Sequence, residues 1–279
     1  MEFPIHISTF YKFAPLGDLD ACRAMQLPLK REMIRRNIRG TITLAPEGVN
    51  ATISGEADAL HDMMQHLRAD KPAIGAFDFK LSDHGAQPFA RSKVKVKPEL
   101  ISLGQPTDPT VCVGDYVTPA DWNALISRPD VITIDTRNAY EYRIGHFKGA
   151  VNPDTRKFKQ MVAYTQTHLD PAAHKAVAMY CTGGIRCEKY SSYLLAQGFE
   201  HVYHLKGGIL QYLQEIPEAE SLWQGACFVF DERVAVTHAL AKDESVTMCQ
   251  GCGSPMLPTD LKYMDFFNAQ QCASCKAAA

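Results

Sequence analysis

No apolar run in this sequence approaches the roughly 20 residues of a membrane-spanning helix, and the first residues read as a strand rather than a cleavable leader. A dominant charge sign is missing too. Across 279 residues, 29 Lys and Arg face 31 Asp and Glu, a formal net charge of −2, so any nucleic-acid surface has to be local. A disulfide framework is also lacking. The nine cysteines are odd in number and only the last four form Cys-x-x-Cys pairs, which argues for a cytoplasmic location. No haem, flavin or nucleotide motif is visible, nor a 2-His-1-carboxylate pattern.

What remains has the composition of an ordinary globular chain, 46% hydrophobic and 22% charged, long enough for two or three modules. Residues 1–100 hold 14 Lys and Arg against 12 Asp and Glu, so a slight basic bias lies in the first third. Hydrophobic periodicity there predicts a strand over 5–13, a helix over 19–37, a hairpin from 40–45 and 49–54, a helix over 57–67 and a strand over 77–81. That order, β-α-β-β-α-β, is the split arrangement of ferredoxin-like α+β domains. Beyond it, Arg91, Lys93, Lys95 and Lys97 all occupy odd positions around Val94 and Val96. A strand would place the four cations on one face. Such a row either protects a sheet edge or binds an anion, since like charges side by side repel unless something anionic visits them.

Prolines 98, 106 and 109 mark residues 101–114 as a linker. Residues 115–218 alternate β and α patterns, including a helix over 119–126, strands over 131–134 and 176–180 and a helix over 188–196, which predicts an α/β module with a mainly parallel sheet. Its functional residues should lie beyond the carboxyl ends of the strands. Cys181 is placed there, followed by Thr182, Gly183, Gly184, Ile185 and Arg186. Two glycines allow positive φ and an inward-turned nest of N–H groups, and Arg186 adds a permanent cation. Such a site favours the thiolate, which is the nucleophile. An ordinary thiol with a pKa of about 8.5 is roughly 3% ionised at neutral pH. Lowering it to about 6 takes roughly 3.4 kcal/mol. A helix terminus supplies about 0.3–1 kcal/mol, charge-assisted hydrogen bonds about 1.5–3 kcal/mol each. The loop is therefore needed as a whole.

Cys-x-x-Gly-x-Arg between a strand and a helix resembles the active loop of the rhodanese family. The strand ending in Asp135-Thr136-Arg137, the stretch from Glu141 through the Gly145-His146-Phe147-Lys148-Gly149-Ala150-Val151-Asn152 turn and the Gly207-Gly208 turn after residues 198–205 extend the likeness. Cysteine phosphatases space their cysteine and arginine by five residues; here the spacing is four. Asp135 and Arg137 are expected to pair and brace the loop. His146 is expected to be a structural hydrogen-bonder. Cys187 is either a resolving thiol or a small residue in the helix's first turn. Cys22, Cys112 and Cys227 have no visible partner.

Residues 219–279 read as a hairpin over 227–236 followed by a cysteine-rich tail. Cys249-x-x-Cys252 and Cys272-x-x-Cys275, nineteen residues apart, have the spacing of a four-cysteine zinc ribbon; a pair of redox dithiols or a disordered tail is the alternative. Residues 45–55, 93–101, 181–189 and 223–231 together resemble one rhodanese-containing family, the oxygen-dependent tRNA uridine hydroxylases, which make 5-hydroxyuridine at the wobble position. The resemblance implies a tRNA partner, molecular oxygen as co-substrate and a persulfide-forming catalytic role for Cys181. A rhodanese-type sulfurtransferase passing sulfur through a Cys181 persulfide is the competing enzyme, and a non-catalytic RNA-binding adaptor the non-enzymatic alternative. The sequence carries no signal of oligomeric state.

Overall fold

A computed structural model describes residues 4–76, 80–84, 87–261, 271, 272 and 275, with the backbone alone at 80–84 and 261. The chain folds as two compact units, Met1–Val113 and Gly114–Ala279. Among the described residues, no helix is long and apolar enough to cross a membrane.

The first unit runs β1 (Ile5–Phe13), α1 (Leu19–Arg35), β2 (Arg39–Ala45), β3 (Gly48–Gly55), α2 (Ala57–Asp70), β4 (Lys80–His84) and β5 (Ser92–Val96). Sheet order is β4-β1-β3-β2-β5, antiparallel except for the β2–β5 pair. The first six elements give the ferredoxin-like arrangement, to which β5 adds a parallel edge strand. The Asp18 side chain caps α1 by accepting the Ala21 N–H at 2.8 Å. Cys22, Met25, Leu29 and Met33 then recur at helical spacing and are buried, as are Leu60, Met63, Met64 and Leu67 on α2. These side chains form one core with Ile42, Leu44, Ile53 and Val94 of the sheet. Of the strand expected over 77–81, residues 77–79 lie outside the described residues.

The second unit opens with β6 (Asp115–Val117), α3 (Pro119–Ile126), β7 (Val131–Asp135), α4 (Ala139–Ile144), β8 (Gly145–Phe147) and α5 (Met161–His168). It continues with β9 (Ala176–Tyr180), α6 (Ile185–Ala196), β10 (His201–Leu205), α7 (Gly208–Glu215) and β11 (Trp223–Gly225). Its main sheet, β6-β10-β9-β7, is parallel throughout. All five residues of β9 are buried, as expected of a strand covered on both faces. Phe147 packs edge-on against Trp122, Tyr180, Tyr212 and Trp223 at centroid distances of 4.7–5.8 Å, which fixes β8 below the loops. β7 and β9 pair with Asp135 opposite Tyr180, so the loops that follow them leave the sheet side by side.

The first unit's helices end at Arg35 and Asp70 rather than at residues 37 and 67, and one further boundary bears on the site. The helix after the active loop begins at Ile185 rather than residue 188, because Gly184 adopts φ +106° and turns the chain straight into it. Arg186 and Cys187 therefore stand in the first helical turn. The last segment holds β12 (Cys227–Phe228) and β13 (Ala235–Val236), an antiparallel pair within the expected hairpin. After them come β14 (Thr247–Met248), β15 (Pro255–Met256) and α8 (Pro258–Leu261).

Candidate active site

Cys181 leaves the end of β9 with only 1% of its surface exposed. The Ile209 N–H donates to the Cys181 carbonyl at 2.9 Å, and the Leu210 N–H to the Thr182 carbonyl at 3.1 Å. With its carbonyls occupied by the start of α7, the loop turns amides toward the sulfur, and the Gly184 N–H reaches Sγ at 3.1 Å. This close approach needs Gly208, at φ +65°, because a Cβ there would lie 2.5 Å from both loop carbonyl oxygens. Gly183, by contrast, faces open space.

Burial pushes the Cys181 thiol up, yet its neighbours reverse the effect. A hydrogen bond from the Cys187 thiol, the Arg186 guanidinium and the amides of Cys187 and Gly184 bring it down to about 5. Burial and the adjacent Cys181 sulfur hold Cys187 well above the ordinary thiol range. Cys187 thus keeps its proton and donates it, while its sulfur lies 3.4 Å from Thr136 Oγ1. Thr136 itself donates to the Tyr180 carbonyl at 3.0 Å, tying the two strand ends together.

Arg186 is not reserved for the thiolate. Its guanidinium donates to both Glu141 oxygens at 2.7 and 2.8 Å and to Thr182 Oγ1 at 3.2 Å. Burial pushes the Glu141 carboxyl up, but Arg186 holds it below the usual range. Glu141 also accepts the Asn138 N–H at 3.0 Å and so caps α4. Glu141 opens the stretch that resembles the rhodanese turn, but motif reading gives no hint that it pairs with Arg186. The signal the sequence does carry is the spacing Asn138-x-x-Glu141, a helix start whose N3 carboxylate has a second use.

Asp135 and Arg137 form a separate buried pair, 2.6 Å apart, and Arg137 donates onward to the Gly145 carbonyl at 2.6 Å. Its guanidinium lies over the rings of Tyr180 and Trp223, 5.7 and 5.2 Å from their centroids. His146 lies 3.1 Å from the Tyr142 carbonyl through Nδ1 and stacks on the Tyr142 ring. Thr182, Gly183 and Ile185 are the partly exposed residues of the loop.

The tail cysteines converge. Sγ atoms of Cys249, Cys252, Cys272 and Cys275 all lie within 4.8 Å of one another. Cys249 and Cys275 are 3.9 Å apart, Cys252 and Cys272 3.6 Å. Four thiolates around a tetrahedral ion at about 2.3 Å would be about 3.8 Å apart, so the set fits a metal ion. Hydrogen bonds from the Cys252 and Cys272 amides, the latter at 3.1 Å, bring the Cys249 thiol down to about 6. In the first unit, Arg91, Lys93, Lys95 and Lys97 are exposed and Val94 is buried.

Residues 5–100 match the UPF0176 acylphosphatase like domain, and residues 118–215 the rhodanese-like domain. Two solved structures resemble parts of the chain at low overlap. One is the rhodanese-like domain of an Anabaena sp. protein, with 20% identity, TM-score 0.33, and coverage of 39% of this chain and 78% of that one. The other is a Rhodopseudomonas palustris protein described as a possible tyrosine phosphatase, with 27% identity, TM-score 0.30, and coverage of 36% and 79%. Neither carries weight for function. The tRNA uridine(34) hydroxylase of Teredinibacter turnerae (strain ATCC 39867 / T7901) is 47% identical over 270 residues, 96% of this chain and 83% of that protein. At that identity over nearly the whole length, the chain belongs to the tRNA uridine(34) hydroxylase family.

Proposed function

We propose that this chain hydroxylates C5 of the uridine at position 34 of tRNA, with Cys181 as nucleophile and molecular oxygen as co-substrate. The observation that carries it is the Cys181 cradle: a buried sulfur held as thiolate by one thiol, two amides and a guanidinium. An anticodon-loop base suits such a site because it is single-stranded and splays out at low cost.

Sγ bonds to C6 of uracil and the displaced electron pair makes C5 nucleophilic. C5 takes one atom of dioxygen and loses its proton, and cleavage of the S–C6 bond returns the thiolate. The second oxygen atom leaves as water with two electrons and two protons from a reductant. Arg186 and the loop amides hold the sulfur's charge before addition and after release. Asp135 and Arg137 position the adjoining strand end. The four tail cysteines hold a structural zinc, which supplies cross-linking rather than chemistry.

The test is nucleoside mass spectrometry of tRNA from cells lacking the gene, complemented with wild type or Cys181→Ser. Loss of 5-hydroxyuridine, restored by wild type alone, is expected. Loss of thiolated nucleosides instead would select sulfur transfer. Covalent trapping of tRNA bearing 5-fluorouridine tests the addition to C6 separately.

A further inference from the structure

A strongly cationic feature outside the site is a groove of about 410 Å³ between α1 and β5, lined by Gln26, Leu27, Lys30, Arg91, Lys93 and Lys95. Lys30 adds to the cationic row a residue that strand periodicity could not reveal, because it reaches the groove from the helix. On the rest of α1, Arg23 pairs with Asp20, Arg35 with Glu32, and Arg36 with Glu32 and Asp62, whereas other cations of this unit, such as Lys12, Arg39 and Lys71, stand singly among the described residues. No carboxylate partners Lys30, Arg91, Lys93 or Lys95 among the described residues. Four unneutralised cations around one groove repel each other, a standing cost that an anion would remove.

Backbone geometry argues against a protein strand as the occupant. The Arg91 carbonyl and the Lys97 N–H bond to β2, so the backbone groups of residues 92, 94 and 96 point out from the edge. The Val94 carbonyl among them is taken by the Gln26 side-chain amide at 2.8 Å. An added strand would have to displace it. Leu27, 55% exposed, gives the groove an apolar wall suited to a sugar or base face.

We infer that this groove holds the phosphodiester backbone of the tRNA, with Lys30, Arg91, Lys93 and Lys95 as phosphate contacts, while Lys97 lies outside it. The inference rests on tRNA being the substrate.

The test measures tRNA affinity of the full chain against salt concentration. For Lys30→Ala combined with Lys93→Ala and Lys95→Ala, the log–log slope should fall by roughly 0.7–0.9 per lost contact. Affinity should fall too, with KM for tRNA rising and kcat kept. The triple lysine-to-arginine variant should retain the slope, and Arg23→Ala should leave it unchanged. A triple alanine variant with the wild-type slope overturns the groove. Hydroxylation by wild type alongside an unchanged slope overturns the groove alone. A reduced slope with no hydroxylation by wild type overturns the proposed activity and leaves the groove standing.

Discussion

Glu141 and Arg186, 45 positions apart in the chain, meet fork to fork at 2.7 and 2.8 Å, both buried beside the reactive sulfur. The carboxylate thus offsets part of the cation's field on Cys181. Arg186→Ala should raise the Cys181 pKa and move the acid limb of its alkylation by iodoacetamide to higher pH. Glu141→Gln should leave the cation uncompensated and move that limb the opposite way. Arg186→Ala should also destabilise the fold by about 3–5 kcal/mol, since it strands a buried carboxylate. Shifts of the same sign in both variants would refute the pairing's electrostatic role.

Cys181→Ser exchanges a thiolate for a hydroxyl that stays protonated, with little change in volume. Hydroxylation should drop to background while tRNA binding persists. Stability carries a second signature. The native thiol titrates near 5, below its ordinary value, so its contribution is complete above the unfolded pKa of about 8.5 and is lost as pH falls through 5. The stability difference between wild type and Cys181→Ser should therefore grow from pH 5 upward, by at most roughly 1.4 kcal/mol per pH unit. Denaturant titrations across that window measure it, and a flat difference would mean the thiol is neutral.

Cys187 acts on Cys181 as a hydrogen-bond donor. Cys187→Ser keeps a donor and should shift the alkylation profile little. Cys187→Ala removes it and should raise the apparent pKa. Were Cys187 instead a resolving thiol, both variants would fail equally after peroxide treatment.

Gly208→Ala and Gly149→Ala form a matched pair. Both positions have positive φ, +65° and +77°, but only at 208 would a methyl meet the active-loop carbonyls. Each should lose about 1–2 kcal/mol from backbone strain. Only Gly208→Ala should also slow Cys181 alkylation, through displacement of the loop. Equal chemistry in the two proteins would show the contact to be slack.

The cysteine cluster should bring about one metal ion per chain, measurable by mass spectrometry of the purified protein. Cys249→Ser should release it and speed hydrogen exchange around β14 and β15. The effect should reach further. Arg143 on α4 donates to Asp260 at 2.9 Å and to the Pro255 carbonyl at 3.1 Å, two residues from Glu141 on the same short helix. Metal loss should therefore shift the Cys181 alkylation profile as well. A metal-free protein with an unaltered profile would separate the two sites.

The loop from Cys181 to Arg186 was legible because its parts are contiguous, and a nest of glycines and cations can be read from neighbours alone. The cationic face of β5 was legible for a similar reason: strand alternation fixes which side each residue takes. Three features were not. That β5 runs parallel to β2 depends on a return path the periodicity does not encode. Glu141 reaches Arg186 only because β7 and β9 are adjacent, a pairing of distant segments. Cys187 turns toward Cys181 because Gly184 starts the helix three residues earlier than the polar pattern suggests, which rotates every side chain of its first turn.

A thiolate with 1% of its residue surface exposed sorts its reagents by girth. Ionisation makes Cys181 a ready target for oxidants and electrophiles, but only those slim enough to pass the loop can collect on that readiness. Small peroxides and compact alkylating agents should find it quickly; a bulky disulfide, which must bring its own sulfur into line with Sγ, should not. The enclosure that opposes ionisation, and that the Cys187 thiol, Arg186 and the loop amides overcome, thereby also protects the resting thiolate from being capped by bulky disulfides.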